Sequence, residues 1–228
     1  MITGRLQPLT SLTGNLQYPW TVIREGDHVF KDAEITDFGS IIHIQENQTD
    51  LYCTDSIGFD GTQYIITGLT PDNNTSIEIE FLREAASGQL FVFGCRSGRT
   101  SDDGFALACS TVDVYPIFGS ANNNIRQVVP TGCRNIVSIS QNGFLLNGQL
   151  IREYDTMDFH SSLNLYIGGL NQNNTLDSRL FRGEIYSIRL YHEDELISEL
   201  LPAGRVSDNA PGLYDVISGS FYPRQENI

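Results

Sequence analysis

The chain has 228 residues, 21 glycines, an aromatic fraction of 10% and a formal net charge of −14. That length admits one large all-β domain or a domain with a smaller appendage, and either buries a core without disulfide staples. The acidic balance excludes a general nucleic-acid binder and a polybasic membrane anchor, because both need Lys and Arg to meet phosphate. No window reaches the roughly eighteen apolar residues of a membrane span. Met1–Arg5 shows no basic region leading into an apolar stretch, so the expectation is cytoplasmic synthesis without a secretory signal. Cys53, Cys95, Cys109 and Cys133 are widely spaced and form no C-x-x-C pair. This argues against zinc and favours buried, inert thiols over a disulfide.

Residues 1–50 read as a separate N-terminal segment. Ile2-Thr3-Gly4-Arg5-Leu6-Gln7 recurs as Leu12-Thr13-Gly14-Asn15-Leu16-Gln17, with Pro8 between the copies. Two such ribbons are too short for a core of their own, so they lean on another part of the chain or on another subunit. A frayed terminus and an attachment or trimerisation arm are both open readings. Trp20, Val22-Ile23, Val29-Phe30 and Phe38–Ile44 then suggest a few short strands. Trp20 beside Pro19 reads as a docking or core residue in preference to a sugar-stacking platform.

Residues 51–228 carry a steadier pattern. Strands are predicted over Ile57–Asp60, Gln63–Thr67, Ser76–Arg83, Gln89–Arg96, Gly104–Ser110, Val112–Phe118, Ile125–Val129, Asn135–Gln141, Gly143–Leu146, Leu163–Gly168 and Arg182–Tyr191. Asn142-Gly143 and Asn147-Gly148 are strong hairpin signals because both residues tolerate positive φ. In the last long strand, alternation puts Tyr186, Ile188 and Leu190 on one side, with Glu184, Ser187, Arg189 and Tyr191 mostly on the other. Ile185 breaks the alternation, and Gly183 permits a bulge there. Glu193–Leu201 clusters Leu196, Ile197, Leu200 and Leu201 in the manner of one helical turn. Gly212–Tyr222 reads as a hairpin around Ser218-Gly219. Many short strands at near-regular spacing imply a two-sheet sandwich or jelly roll.

Two stretches carry a family resemblance. Phe59–Gly68 followed by Asn74–Phe81 resembles the opening strands of laminin-G-like, concanavalin-A-like jelly rolls. Asn164–Gly169 followed by Phe181–Tyr191 is similar to their closing strands. Pro202-Ala203-Gly204-Arg205 with Gly212–Val216 and Phe221-Tyr222 resembles the tail of such domains in structural proteins of tailed bacteriophages, and the repeated Leu-Thr-Gly start is similar to phage virion proteins. The resemblance spans roughly residues 55–222. It implies an all-β, concanavalin A-like jelly-roll sandwich of two antiparallel sheets over residues 51–228, preceded by a small β-rich attachment segment over residues 1–50. It further implies carbohydrate binding at loops over one rim, with calcium in some members, and display on a head, neck, tail or fibre.

The fold also houses retaining glycoside hydrolases, which hold two carboxyl groups about 5–5.5 Å apart across the sugar. In the matching strand, Ser76 stands where the first carboxylate belongs. Glu78 and Glu80 share a face at roughly 6.6–7 Å, as polar residues on a solvated sheet do, and the expectation is a non-enzymatic protein. His28, His43, His160 and His192 show no metalloprotease spacing. Weak calcium candidates are Asp102 and Asp103 on one loop and Asp177 on another, although ordinary turn composition explains them as well. Sugar candidates by residue type are Asn122, Asn123, Asn124, Asn171, Asn173, Asn174, Tyr115 and Tyr166, and tight turns use the same asparagines.

Together these features point to a virion structural protein, a head- or tail-associated decoration, fibre or adhesin subunit that requires no cofactor. Residues 1–50 would contact other virion proteins and drive self-association, and the partners would include neither nucleic acid nor membrane. The alternative is a carbohydrate-binding receptor-recognition module contacting a host surface glycan, with a glycan hydrolase a distant third. Removing residues 1–50 is expected to abolish self-association and leave a folded, monomeric sandwich in analytical ultracentrifugation.

Overall fold

Alternating apolar residues punctuated by Gly, Asn and Asp build strands joined by tight turns, and the computed structural model shows how these strands pair. It describes residues 24–25, 28–29, 50–85, 88–98, 102–119, 126–154 and 158–227. The chain divides into two units, Met1–Thr49 and Asp50–Ile228. Of the first, the description covers an antiparallel pair, β1 (Arg24–Glu25) with β2 (His28–Val29). Trp20 and the repeated Leu-Thr-Gly arm lie outside the described residues.

The second unit continues with β3 (Leu51–Cys53), β4 (Ile57–Asp60), β5 (Gln63–Ile66), β6 (Thr75–Arg83), β7 (Leu90–Arg96), β8 (Gly104–Cys109) and β9 (Asp113–Gly119). Next come β10 (Gln127–Val128), β11 (Arg134–Ser140), β12 (Gly143–Leu146), β13 (Gln149–Arg152), β14 (Tyr166–Ile167), β15 (Asn171–Gln172) and β16 (Thr175–Leu176). The closing strands are β17 (Arg182–His192), β18 (Glu195–Arg205), β19 (Pro211–Asp215), β20 (Phe221–Pro223) and β21 (Gln225–Glu226). The first sheet runs β10-β9-β8-β7-β14-β5-β21, with the β15–β16 hairpin beside β7. The second runs β13-β12-β11-β6-β17-β18-β19-β20, with β3 on β18 and β4 on β17. Strands pair antiparallel in both sheets, except β15 against β7. The unit is therefore an all-β sandwich of two antiparallel sheets.

Its core is assembled by period-two burial. Along β6, Thr75, Ile77, Ile79, Phe81 and Arg83 are buried while Ser76, Glu78, Glu80 and Leu82 are half-buried. Between the sheets, Phe93, Phe105, Phe118 and Phe159 follow one another at centroid separations of 5.8, 6.0 and 5.1 Å, the last edge-to-face. Each fully buried Phe contributes about 1.5–3 kcal/mol of transfer free energy, so this file of rings is a principal source of cohesion. Arg83, 2% exposed, spans one end of the sandwich. Its guanidinium donates to the carbonyls of Ser110 (2.7 Å), Thr111 (2.9 Å) and Val129 (3.1 Å from Nε), so a buried cation is satisfied by backbone dipoles. No disulfide joins the four cysteines; burial pushes the Cys95 and Cys109 thiols up to about 12, whereas Cys133 is exposed and Cys53 half-buried, so the expectation of buried thiols holds for two of the four.

Two sequence expectations are corrected. Glu193–Leu201 is not a helical turn. Glu193 and Asp194, at φ 51° and 65°, close a hairpin from β17 into β18. The spacing of Leu196, Ile197, Leu200 and Leu201 imitates a helix, but one isolated turn leaves its terminal backbone groups unsatisfied. As a strand, Leu196 and Leu200 pair with β17, and Leu200 and Leu201 pair with β19. Tyr186 also does not join the inward row. A bulge between Ile185 and Ser187 sends Ile185 into the core, and Tyr186 remains half-buried under the Arg134 guanidinium at 3.6 Å. Its hydroxyl donates to Glu184 Oε2 at 2.7 Å.

Gly183 precedes that bulge at φ 144°, where a Cβ would lie 2.0 Å from the Leu82 carbonyl oxygen. Gly183→Ala is therefore expected to destabilise the protein by at least about 3 kcal/mol, combining backbone strain with displacement of β6. A lowered denaturant midpoint at unchanged slope would report it.

Candidate functional site

Alternation decides which residues leave the core on the first sheet. Ile65 and Ile167 pair across β5 and β14 and point inward, so Tyr64, Ile66 and Tyr166 take the opposite face. On β8 and β9, Phe105, Leu107, Val114 and Phe118 belong to the core, while Ala106, Ala108, Tyr115 and Ile117 face outward. Phe91 and Leu170 join these outward residues in a second, smaller apolar cluster. Gly94 lets the chain after β14 cross here, since a Cβ would meet Leu170 Cδ1 at 2.8 Å and Ala106 Cβ at 2.5 Å.

Cations cover this cluster. The Arg179 and Arg96 guanidinium groups lie over the Phe91 ring at 4.8 and 5.7 Å, and Arg126 lies over Tyr115 at 4.9 Å. Arg179 forks onto Asp177, with Nε to Oδ1 at 2.7 Å and a terminal nitrogen to Oδ2 at 2.5 Å. Its other terminal nitrogen donates to Gln89 at 3.2 Å. The Arg179 hydrogen bond holds the Asp177 carboxyl below the usual aspartate value despite partial burial. Burial raises the Tyr115 phenol, and the nearby Arg126 and Arg179 charges oppose that shift.

The remaining sequence candidates are scattered. Asp103 accepts the Ser97 N–H at 3.0 Å, and Asp102 is exposed. Among the described residues no group of three His, Cys, Asp or Glu side chains gathers to hold a metal. Asn122, Asn123 and Asn124 lie outside the described residues. Asn171 is 1% exposed; its amide donates to the Asn164 carbonyl at 2.9 Å, and its Oδ1 has no partner among the described residues. Asn173 and Asn174, at φ 54° and 61°, form the β15–β16 turn. Of the aromatic sugar candidates, Tyr115 and Tyr166 share the outer sheet face, on β9 and β14.

Sequence reasoning missed the partners of Tyr166. Its ring centre lies 5.5 Å from that of Tyr64, tilted by 34°. Next to the pair is a shallow cleft of about 230 Å³, lined by Asp60, Gly61, Thr62, Leu90, Ser178, Leu180 and Arg182. Gly169 sits between cleft and tyrosines: a Cβ there would lie 2.8 Å from Leu180 Cδ2 and 3.7 Å from Tyr64 Cβ. The alternation of Tyr64 with Ile65 was visible in sequence. The convergence of the β4–β5 turn, the start of β7 and residues 178–182 was not.

The second sheet presents a different outer face. Arg189 bonds Glu199 at 2.8 Å and Glu78 at 3.2 Å, and Arg134 lies 3.5 Å from Glu80. Glu78 and Glu80 are thus members of a cross-strand ion-pair ladder. Of the histidines, His192 meets Asp72 at 3.2 Å, and His160 forms a backbone bridge with Asp72.

This is the fold of laminin-G-like and lectin-like jelly rolls. It is similar to a putative carbohydrate-binding protein from Bacteroides ovatus, at TM-score 0.50 and 12% identity, over 76% of this chain and 58% of that one. It is also similar to the Ruminococcus gnavus sialidase module CBM40 bound to α2,3-sialyllactose, at TM-score 0.43 and 16% identity over 64% and 93%. Mouse laminin α1 domains LG4–5 align at TM-score 0.45 and 18% identity over 64% and 44%. No family model matches the chain, and no curated protein matches it.

The Asp177 pair has a pH signature. Because the folded carboxyl is held below its unfolded value, its stabilisation is complete above the ordinary aspartate pKa and is lost as pH falls through the folded one. Asp177→Asn is expected to cost about 1–2 kcal/mol at neutral pH. The gap from wild type should close in unfolding titrations carried below roughly pH 4.

Proposed function

We propose that the Asp50–Ile228 unit is a non-enzymatic carbohydrate-binding jelly roll that works through the outer face of its first sheet. The observation that carries this reading is the placement of Tyr64, Tyr115 and Tyr166 on that face, half-buried and bordered by guanidinium, amide and hydroxyl groups. Aromatic rings with a few fixed polar groups are what sugar recognition requires, since a pyranose has an apolar C–H face and a polar rim. The non-enzymatic part is supported by the engagement of Glu78 and Glu80 with Arg189 and Arg134.

The wider setting rests on the sequence resemblance. In this proposal the chain is a virion structural subunit of a tailed phage, residues 1–50 attach it to other virion proteins and to further copies, and the jelly roll is displayed toward host glycans. The likeness to a putative carbohydrate-binding protein supports the carbohydrate-binding element, and the virion element rests on the sequence resemblance alone.

A glycan array probed with the 228-residue protein is expected to give binding that Glu78→Gln and Glu80→Gln leave intact, with no glycan cleaved. Silence across the array would remove the carbohydrate reading. Hydrolysis abolished by either substitution would replace it with an enzymatic one.

A further inference from the structure

The rim cleft and the Tyr64–Tyr166 pair form one continuous surface. Thr62 ends the turn that leads into β5, Tyr64 lies on the outer face of β5, and Leu180 and Tyr64 both approach Gly169. Neither tyrosine hydroxyl makes a hydrogen bond among the described residues, so the rings meet solvent without an internal commitment. Leu90 and Leu180 supply an apolar floor. At the edge, Arg182 donates through Nε to the Asp60 carbonyl at 2.7 Å, and its terminal nitrogens have no partner among the described residues. Asp60 receives the Thr62 N–H and hydroxyl on Oδ1, at 2.9 and 2.7 Å, which leaves Oδ2 able to accept.

Size and charge narrow the occupant. About 230 Å³ is less than the roughly 300–1,000 Å³ that encloses a drug-sized ligand and accommodates a single sugar ring. The charges around Thr62 are balanced. Asp60 and Glu226, whose Oε2 lies 3.1 Å from the Thr62 hydroxyl, stand against Arg182 and Arg224, which lies 3.8 Å from Glu226. An anion gains no net local attraction there, and a chain carrying −14 charges repels it at longer range. A vicinal diol, by contrast, donates to Asp60 and accepts from Arg182.

We propose that this cleft binds one neutral hexopyranose residue, stacked against the Tyr64–Tyr166 platform and held through its hydroxyls by Asp60 and Arg182. The inference rests on the carbohydrate-binding reading and adds to it a location and a ligand class. Asp60 remains an ionised acceptor at moderately acidic pH because the Thr62 and Gln63 side chains hold its carboxyl below the usual value.

The test uses the 228-residue protein in saturation-transfer NMR and titration against methyl glycosides of neutral hexoses, with sialyllactose as the anionic probe. A neutral glycoside is expected to bind, Tyr64→Ala and Arg182→Met each to weaken it about tenfold, and Glu78→Gln, on the other sheet, to leave it unchanged. Arg182→Met alters an exposed side chain and carries the test if Tyr64→Ala fails to fold, as judged by its melting curve. Preference for sialyllactose overturns the neutral assignment, and binding that survives both substitutions overturns the site while the carbohydrate reading stands. Absence of binding to every glycan on the array removes that reading and this site with it.

Discussion

Strand β17 must match three strands at once, and much of the sandwich follows from how it does so. One edge pairs with β6 from Gly183 to His192, while the other pairs first with β4 and then with β18. β17 therefore fixes the centre of the second sheet and the point where the opening strands return to the closing ones. Gly183 and the bulge after Ile185 make this possible. Without a Cβ, the backbone approaches the Leu82 carbonyl, and the extra residue resets the alternation so that Ile188 and Leu190 point inward again. The C-terminal segment completes the enclosure. β20 belongs to the second sheet and β21 pairs with β5 of the first, so the chain crosses between sheets at Arg224, whose guanidinium donates to the Gly58 carbonyl at 2.7 Å.

The two outer faces differ because of what the core needs from each strand. On the second sheet, alternation with Ile77, Ile79 and Ile188 leaves Glu78, Glu80 and Arg189 facing outward at cross-strand spacing. They satisfy one another, and a face of mutually engaged charges has little capacity left for a ligand. On the first sheet the outward residues are small, aliphatic or aromatic, and the chain after β14 crosses over them. Guanidinium groups close over the Phe91 and Tyr115 rings, while the Tyr64 and Tyr166 hydroxyls make no hydrogen bond among the described residues. Recognition chemistry is thus concentrated on one face of a nearly symmetric architecture.

Legibility in the sequence followed local physics. The limits of Ile57–Asp60 and Gly143–Leu146 are legible because Asp-Gly or Asn-Gly turns bound them, and in the first the apolar residues alternate. The strand from Glu195 to Arg205 was misread, since its leucines share helical spacing and its turn relies on Glu193 in a left-handed conformation that the residue type does not advertise. Tyr166 was picked out by type alone. Tyr64, Thr62, Ser178 and Arg182 carry no motif, and they meet only because residues more than a hundred positions apart are brought to one rim.

The sequence by itself determined that this chain is a β sandwich with an acidic surface, because period-two hydrophobicity and turn chemistry are properties of neighbouring residues. It also placed Glu78 and Glu80 on one solvated face, since two residues along a strand always share a side. Only the tertiary structure decided which tyrosines stand together, which carboxylates are engaged by arginine, and where a cleft opens. Those outcomes depend on strand order and register, which are set by long-range packing and which no local pattern encodes.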